Sequence, residues 1–507
     1  MIASQLMHAL LGVASFVSVA SGAAIDNDLI FSRQDAWPAS IAGEAHDQSW
    51  PEFANVTQRW STYSAPTFNE VFLPRNEREL SMGLRYLSSN NRPFLAKSGG
   101  HGYSATLQTV QNATMINMAG FNTMRMNRDQ SVTYGSGVLY GDLVQFLYDH
   151  GRVVTVGSCP CVGSAGAALG GGLGRFEGLY GLTSDNISKV RYALYNGTIV
   201  EASPQVNKDL FWGIRGAGQN FGIAFEITLQ THPATNNGQH YNGDFYFARK
   251  DMKRMFDAVN KLAAPRGNPD LFDPRLNFIP FVSYNTTTQD IDIILNVQYA
   301  GPTRDAQKHT NQFKSYATRF AEVETSWPGT FNAAVGGLIN FSCTKGINYD
   351  MRGVITKTLD TQIISDFADD LVEMIHANPS ANASMLMIET FPNQAMNKFP
   401  DNFSAFPHRG RFSNMIELVM LYTDEREAAN VEAFSVKWRN RWAEKRYSGY
   451  DRLYEYQNYG HGDEPLSALY GYEQWRHVRL TELKNKYDPR GLFNGYHPIP
   501  NTLAGWS

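Results

Sequence analysis

Two glycine-rich runs limit what the first half of this chain can fold into. Lys97-Ser98-Gly99-Gly100-His101-Gly102-Tyr103-Ser104 sets three glycines around one histidine. Gly157-Ser158-Cys159-Pro160-Cys161-Val162-Gly163-Ser164-Ala165-Gly166 continues to Leu169-Gly170-Gly171-Gly172-Leu173-Gly174 with no charge. Such glycine density weakens helix and strand alike, but lets main-chain N–H groups approach a phosphate and form an anion-binding nest. The histidine would project where a bound group lies. The plainer readings are a glycine turn carrying a surface histidine, and a cysteine serving as a small buried hydrophobe. Gly172, Gly174 and Gly178, and again Gly216, Gly218 and Gly222, follow GxGxxxG rather than GxGxxG. Neither triplet sits cleanly between a strand and a helix, which argues against a dinucleotide-binding fold. No GxxxxGK[ST], HExxH or GxSxG is present.

Composition bounds the rest. A length of 507 residues suggests two to three domains, and 43% hydrophobic with 18% charged residues is ample for a large core. Lys and Arg number 44 against 48 Asp and Glu, a net charge of −4 that offers nucleic acid no basic surface. Aromatic residues reach 13%, enough for a well-packed core or for a large pocket holding a flat ligand. Cys159, Cys161 and Cys343 are too few for a disulfide framework, and no Cys/His spacing fits a metal site.

Ala9 to Ala20 (ALLGVASFVSVA) is apolar and of signal-peptide length, and Ser21-Gly22-Ala23-Ala24 offers a small-residue cleavage site. Residues 1–24 therefore read as a secretory signal, with a soluble, monomeric mature protein outside the membrane. Eight N-x-S/T sequons follow, at Asn55, Asn112, Asn186, Asn196, Asn285, Asn340, Asn382 and Asn402. In a secreted chain they predict a glycoprotein.

Residues 66–240 mix short strands with helices. Glu70–Pro74, Pro93–Ala96 and Val153–Val156 read as strands. Glu77–Ser89, with Leu80, Leu84 and Leu87 on one face, and Leu139–Tyr148 read as helices. Residues 240–450 carry the longer strands Asn277–Tyr284, Ile291–Tyr299, Met385–Glu389 and Asn414–Met420. Between them lie the helices Asp251–Leu262, Asp366–His376 and Arg426–Ala443. The pattern predicts an α+β protein whose second half is one sheet covered by helices on one face. Pro233–Gly238 marks the crossing point, and residues 451–507 form a third unit or return to the first.

Taken in order, the motifs carry a resemblance. GGH, then GxCPxVG with GGGxG, are followed by Tyr180-Gly181-Leu182-Thr183-Ser184-Asp185-Asn186 and by Asp209 to Ile223 (DLFWGIRGAGQNFGI). Ala405-Phe406-Pro407-His408-Arg409, Tyr456-Gln457-Asn458-Tyr459 and Lys486-Tyr487-Asp488-Pro489 complete the set. From about residue 60 to 500 the chain resembles the FAD-linked oxidases of the vanillyl-alcohol-oxidase (PCMH-type) fold, berberine-bridge-enzyme-like branch. The resemblance implies a two-domain fold: a PCMH-type FAD-binding domain over 60–238, a substrate domain with an antiparallel sheet over 239–450, and a C-terminal segment, 451–507, returning to the first. It implies FAD bonded through His101 and, in doubly linked members, also through Cys159; Cys161 is a second thiol in the same turn. Ser98, Gly99, Gly100, Gly102, Tyr103, Ser104, Gly163, Gly166, Gly170, Gly171, Gly172, Gly174, Asp185, Ile223 and Asn458 match positions near the cofactor. Asn186, in a cofactor-facing turn, is expected to stay unglycosylated.

In the resembling family the general base is a tyrosine of YxNY, here Tyr459. An unperturbed phenol has a pKa near ~10 and needs a nearby positive charge or hydrogen bond to act. Otherwise Tyr459 is a core aromatic. Plant members follow YxNY with Arg-Asp-Leu-Asp; here Gly460-His461-Gly462-Asp463-Glu464-Pro465 stands instead, which points to fungal-type secondary metabolism. Glu389 and Gln394 are polar residues beside the substrate sheet, of a kind that ordinarily faces solvent, and His408 reads as structural. The implied activity is oxidation of an alcohol carbon of a small natural-product substrate, with O2 as acceptor. In relatives of the solanapyrone synthase type a cyclisation follows in the same pocket. A carbohydrate oxidase that makes lactones, and a flavin-loaded binding protein with little turnover, are the other readings. A closed apolar pocket would favour the first, and an open polar groove the sugar.

Overall fold

The long second-half strands form a seven-stranded antiparallel sheet. We label its strands β1 (Gln239–Phe247), β2 (Leu276–Asn285), β3 (Asp290–Tyr299), β4 (Arg319–Ser326), β5 (Asn348–Thr356), β6 (Met385–Glu389) and β7 (Asn414–Tyr422). Their order across the sheet is β4-β1-β3-β2-β6-β7-β5. The computed structural model describes residues 36–411 and 413–506, without the side chains of 338–341. The signal-peptide reading and the Asn340 side chain lie outside the described residues.

Alternation assigns each face of the sheet. Ile293, Leu295, Leu386, Ile388, Ile416 and Leu418 point to one side and join a single core. The helices α1 (Met252–Ala263), α2 (Thr303–Lys314), α3 (Thr361–Ala377) and α4 (Ala428–Ala443) cover that side, contributing Phe256, Phe313, Phe367 and Trp438. Because side chains alternate along a strand, Met385, Met387, Glu389, Glu417, Val419 and Leu421 face the other way. The expected one-sided helical layer is what the chain builds.

The first half holds a four-stranded sheet and a five-stranded antiparallel sheet. In the former, Phe94–Lys97 pairs in parallel with Ala113–Asn117 and so delivers the chain to the Gly99 loop. Glu77–Ser89 is helical as predicted, and Leu80, Leu84 and Leu87 are buried. Its start is fixed by Asn76, whose side chain accepts from Glu79 N at 3.1 Å, while Glu79 Oε2 accepts from Arg75 N at 2.7 Å. The first bond satisfies a donor that a helix start leaves open, and the second ties the residue before the cap to the first turn. The expected strand Val153–Val156 shortens to Arg152–Val153, pairing with His232–Pro233.

Residues after 450 pack back on the first half. Leu469, Tyr470, Leu480, Leu483, Ile499 and Trp506 share a core with Val132, Tyr192, Leu210 and Ile227. This places the Tyr456–Tyr459 turn between the glycine-rich loops and the large sheet. Among the described residues no helix is long and apolar enough to cross a membrane.

Candidate active site

The two glycine-rich runs touch backbone to backbone. A Cβ on Gly99 would stand 2.4 Å from Gly163 N, and one on Gly163 would stand 2.3 Å from Gly99 N. Only glycine allows that approach. Between these loops, the C-terminal turn and the inner sheet face lies a cavity of about 450 Å³. Ser98, Gly99, Gly100, His101, Gly102 and Tyr103 line it from the first run. Cys159, Gly163, Gly166 and Gly172 line it from the second, with Ile223, Asn458 and Tyr459 completing the ring. Residues far apart in sequence are thus gathered around one space.

Five sequence-selected residues lie elsewhere. Gly170 is packed against the Asn458 side chain, Gly171 against Phe406, and Gly174 against Val156 O. They permit close packing behind the cavity rather than contact with a ligand. Ser104 Oγ donates to His461 O at 3.1 Å and accepts from Thr106 N at 3.2 Å, closing the loop end. Asp185 forms a buried pair with Arg409, with Nη1 to Oδ2 3.0 Å, and accepts from Leu182 N at 3.0 Å. A carboxylate committed to a guanidinium and its own turn does not face the cavity. Asn186 is likewise buried, donating to Tyr180 O at 3.0 Å and Leu182 O at 2.8 Å.

His101 stacks on Trp60, ring centroids 4.8 Å apart. Burial, with Arg59 and Lys345 nearby, pushes its pKa down to about 4, so the imidazole is neutral with a free lone pair at neutral pH. Cys161 is bonded to Cys343, a pairing across 182 residues that spacing could not show. Cys159 is therefore the free thiol among the described cysteines. Its Sγ lies 3.2 Å from Cys161 Sγ and accepts from Ser342 Oγ at 3.1 Å, and burial raises its pKa.

Tyr459 lies beside two buried acids, Glu389 and Glu417. Its hydroxyl donates to Glu389 Oε2 at 3.1 Å. Glu389 is 4% exposed and Glu417 1%. Met387 stands opposite Glu417 and Glu389 opposite Met415, so the two carboxyls are diagonal neighbours on the cavity face. Burial raises the pKa of both, and Glu389 raises Glu417 further. Burial and both carboxylates raise Tyr459 well above the usual phenol. The help available to this phenol is thus a hydrogen-bond acceptor, with Arg175 as a cation acting on Glu389. The sequence expectation for Glu389, a solvent-facing side chain, is corrected: pleat and register turn it inward. Gln394 is half-buried and donates to Phe272 O at 2.7 Å, a structural tie. His408 is buried, 2.8 Å from Glu455 O. Glu417 escaped the sequence reading; its signal is a lone acid inside the apolar strand NMIELVMLY.

The residues present fit FAD. Tyr103 Oη, Ser136 Oγ and Gln457 Oε1 are buried polar atoms with no partner among the described residues, and all three residues border the cavity. A Cβ on Gly166 would meet nothing within 4 Å, so the main chain there is open to a bound group.

Comparison with known proteins agrees with the fold and with FAD as the cofactor. Residues 69–203 match the model of the FAD binding domain. The structure superposes on Physcomitrella patens BBE-like 1 with a TM-score of 0.75 at 21% identity, covering 90% of this chain and 97% of that one. With the carbohydrate oxidase from Microdochium nivale the TM-score is 0.76 at 19% identity, covering 92% and 100%. These likenesses define a flavin-dependent oxidoreductase fold. A curated relative, the FAD-linked oxidoreductase srdI of Neurospora crassa, is 31% identical over 455 residues, 89% of this chain and 88% of that protein. The chain belongs to the FAD-linked oxidoreductases.

Proposed function

We propose that this FAD-linked oxidoreductase is an oxidase of an alcohol carbon in a small, largely apolar organic molecule of natural-product type. The carrying observation is the cavity wall: Met351, Met385, Met387, Val419 and Leu421 surround an acid–phenol group of Tyr459, Glu389 and Glu417. An apolar wall with a few convergent polar groups suits an apolar substrate held by one hydroxyl. When bound, FAD would supply a two-electron acceptor that dioxygen can reoxidise to give hydrogen peroxide.

In this reading Tyr459 takes the substrate hydroxyl proton while releasing its own to Glu389. The carboxylate makes a phenol usable as a base where no cation lowers its pKa. Glu417 holds the second acidic position, where burial and the neighbouring Glu389 raise its pKa. His101 attaches the flavin, and Cys159 adds a second bond. Each attachment would replace one flavin C–H by a bond to the side chain, with two protons, one from that carbon and one from the side chain, and two electrons passing to O2 as H2O2. Burial holds the proton on the Cys159 thiol, which must be given up for its bond to form. We assign residues 60–238 and 451–507 to FAD and 239–450 to the substrate wall. Secretion fits the exposed sequons at Asn55, Asn112, Asn196, Asn382 and Asn402, with Asn285 half-exposed.

A peroxide-release assay over apolar polycyclic or polyene alcohols and a matched oligosaccharide panel tests the substrate. The reading expects turnover confined to the apolar set. Turnover of oligosaccharides alone would make it a carbohydrate oxidase, and a flavin that no member of either panel reduces would make it a binding protein.

A further inference from the structure

We infer that Trp60 is a positioning residue that sets both flavin anchors, His101 and Cys159. The inference rests on the attachment reading above. Trp60 precedes the matched FAD-binding region, residues 69–203, and belongs to no motif of the sequence. It is 6% exposed, its ring lying between two others. One neighbour is His101, centroid distance 4.8 Å and interplanar angle 20°. The other is Tyr349 of β5, at 3.6 Å and 19°.

The indole N–H points to a third element. Trp60 Nε1 donates to Ser342 O at 2.7 Å, and Ser342 Oγ in turn donates to Cys159 Sγ at 3.1 Å. The following residue, Cys343, is bonded to Cys161 of the Cys159 turn. One indole thus meets His101 through its ring and Cys159 through its N–H and Ser342.

The main chain around Trp60 does the same work. Lys97 Nζ donates to Val56 O at 2.7 Å and Gln58 O at 2.9 Å. Arg59 Nη2 donates to Gly102 O at 2.9 Å, and Trp60 N donates to Gly100 O at 3.1 Å. Both ends of the His101 loop are therefore strapped to residues 56–60. Gly346 N donates to Trp60 O at 3.2 Å, tying the strap to the Ser342 side as well. A glycine loop has little stiffness of its own, so the strap supplies the rotational setting of the imidazole. Attachment needs each side-chain atom near its target carbon, and a misplacement of ~1 Å can slow such a reaction about 100-fold.

The substitutions separate the two functions of the indole. Trp60→Phe keeps a ring for His101 and removes the N–H for Ser342. Trp60→Ala removes both. Intact mass and peptide mapping of purified full-length protein read the fraction bonded at each anchor, and far-ultraviolet circular dichroism with acid-released FAD reads folding and non-covalent binding. We expect Trp60→Phe to retain the His101 bond while attachment at Cys159 slows about 10- to 100-fold. We expect Trp60→Ala to slow both while FAD is still bound and released by acid. Wild-type occupancy at both anchors in both variants would overturn the inference. So would a Trp60→Phe protein with wild-type occupancy beside a Trp60→Ala protein that holds no FAD, since Trp60 would then be only structural. A wild-type protein without any bonded flavin overturns the attachment reading itself, and the inference with it.

Discussion

The hydroxyl of Tyr459 donates to Glu389 Oε2 at 3.1 Å, joining the last residue of β6 to a turn that begins the C-terminal segment. Phenol and carboxyl come from different elements, so the proposed proton route needs both the C-terminal turn and β6 in place. Tyr459→Phe and Glu389→Gln should each lower kcat by ~10²- to 10⁴-fold while FAD content stays unchanged. Stopped-flow flavin reduction under anaerobic conditions checks this directly.

The pH profile should carry the same signature. Glu389 must be ionised to accept a proton, and burial holds its pKa above the ordinary carboxylate range. The reductive rate is therefore lost as pH falls through that raised pKa and increases as pH rises through it. In Glu389→Gln this limb should disappear. A limb unmoved by the substitution would assign the titration to another group.

His461 makes stability pH-dependent in the opposite direction. Its Nε2 is 3.1 Å from Asp350 and 3.0 Å from Tyr63 Oη, and Nδ1 is 3.2 Å from Asp463. Arg352 and Arg439 pair with Asp463 from the sheet and from α4, and Glu464 accepts from His461 N. Despite burial, the two aspartates raise the pKa of His461 above its usual value. A raised folded-state pKa contributes stability fully present below the unfolded value, ~6.5, and lost as pH rises through the folded one. Denaturant midpoints of the wild type minus those of His461→Gln should shrink on going from acidic to alkaline buffer.

The substrate wall is open to truncation. Met387→Ala or Val419→Ala should cost about 1–2 kcal/mol of transition-state binding for an apolar alcohol, about 5- to 30-fold in kcat/KM. Flavin content should be unaltered. Steady-state kinetics on the best substrate of the apolar panel check it.

Legibility followed chemistry. Helix Glu77–Ser89 and strand Met385–Glu389 show in the sequence because one period of apolar residues faces one core. Strand β5 does not, because Asp350 and Arg352 interrupt its apolar pattern and find their partners in Asp463 and each other. In strand β1, Asn242 and Asp244 alternate with Tyr241 and Phe245, but Gly243 breaks the apolar row between those two. The glycine loops announced a cofactor site, yet not that Gly99 and Gly163 touch. Glu389 and Trp60 acquire their places from register and from a long-range strap. The Cys161–Cys343 bond likewise depends on the fold bringing together residues 182 positions apart.

That bond is testable in its own right. Cys343→Ser should lower stability by about 2–5 kcal/mol, because the bridge closes a very long loop. Urea unfolding with and without reductant should reproduce the loss in the wild type and show none in the variant.

The proposed function turns on FAD bonded through His101, with Cys159 beside it. Intact mass and visible absorbance of the denatured, deglycosylated protein test it most directly. The expected result is a yellow polypeptide heavier by one FAD, with the flavin on the His101 peptide and a second bond to Cys159. A colourless polypeptide of unmodified mass, with all FAD in the supernatant, would contradict the attachment. No flavin in any fraction would contradict the oxidase reading altogether.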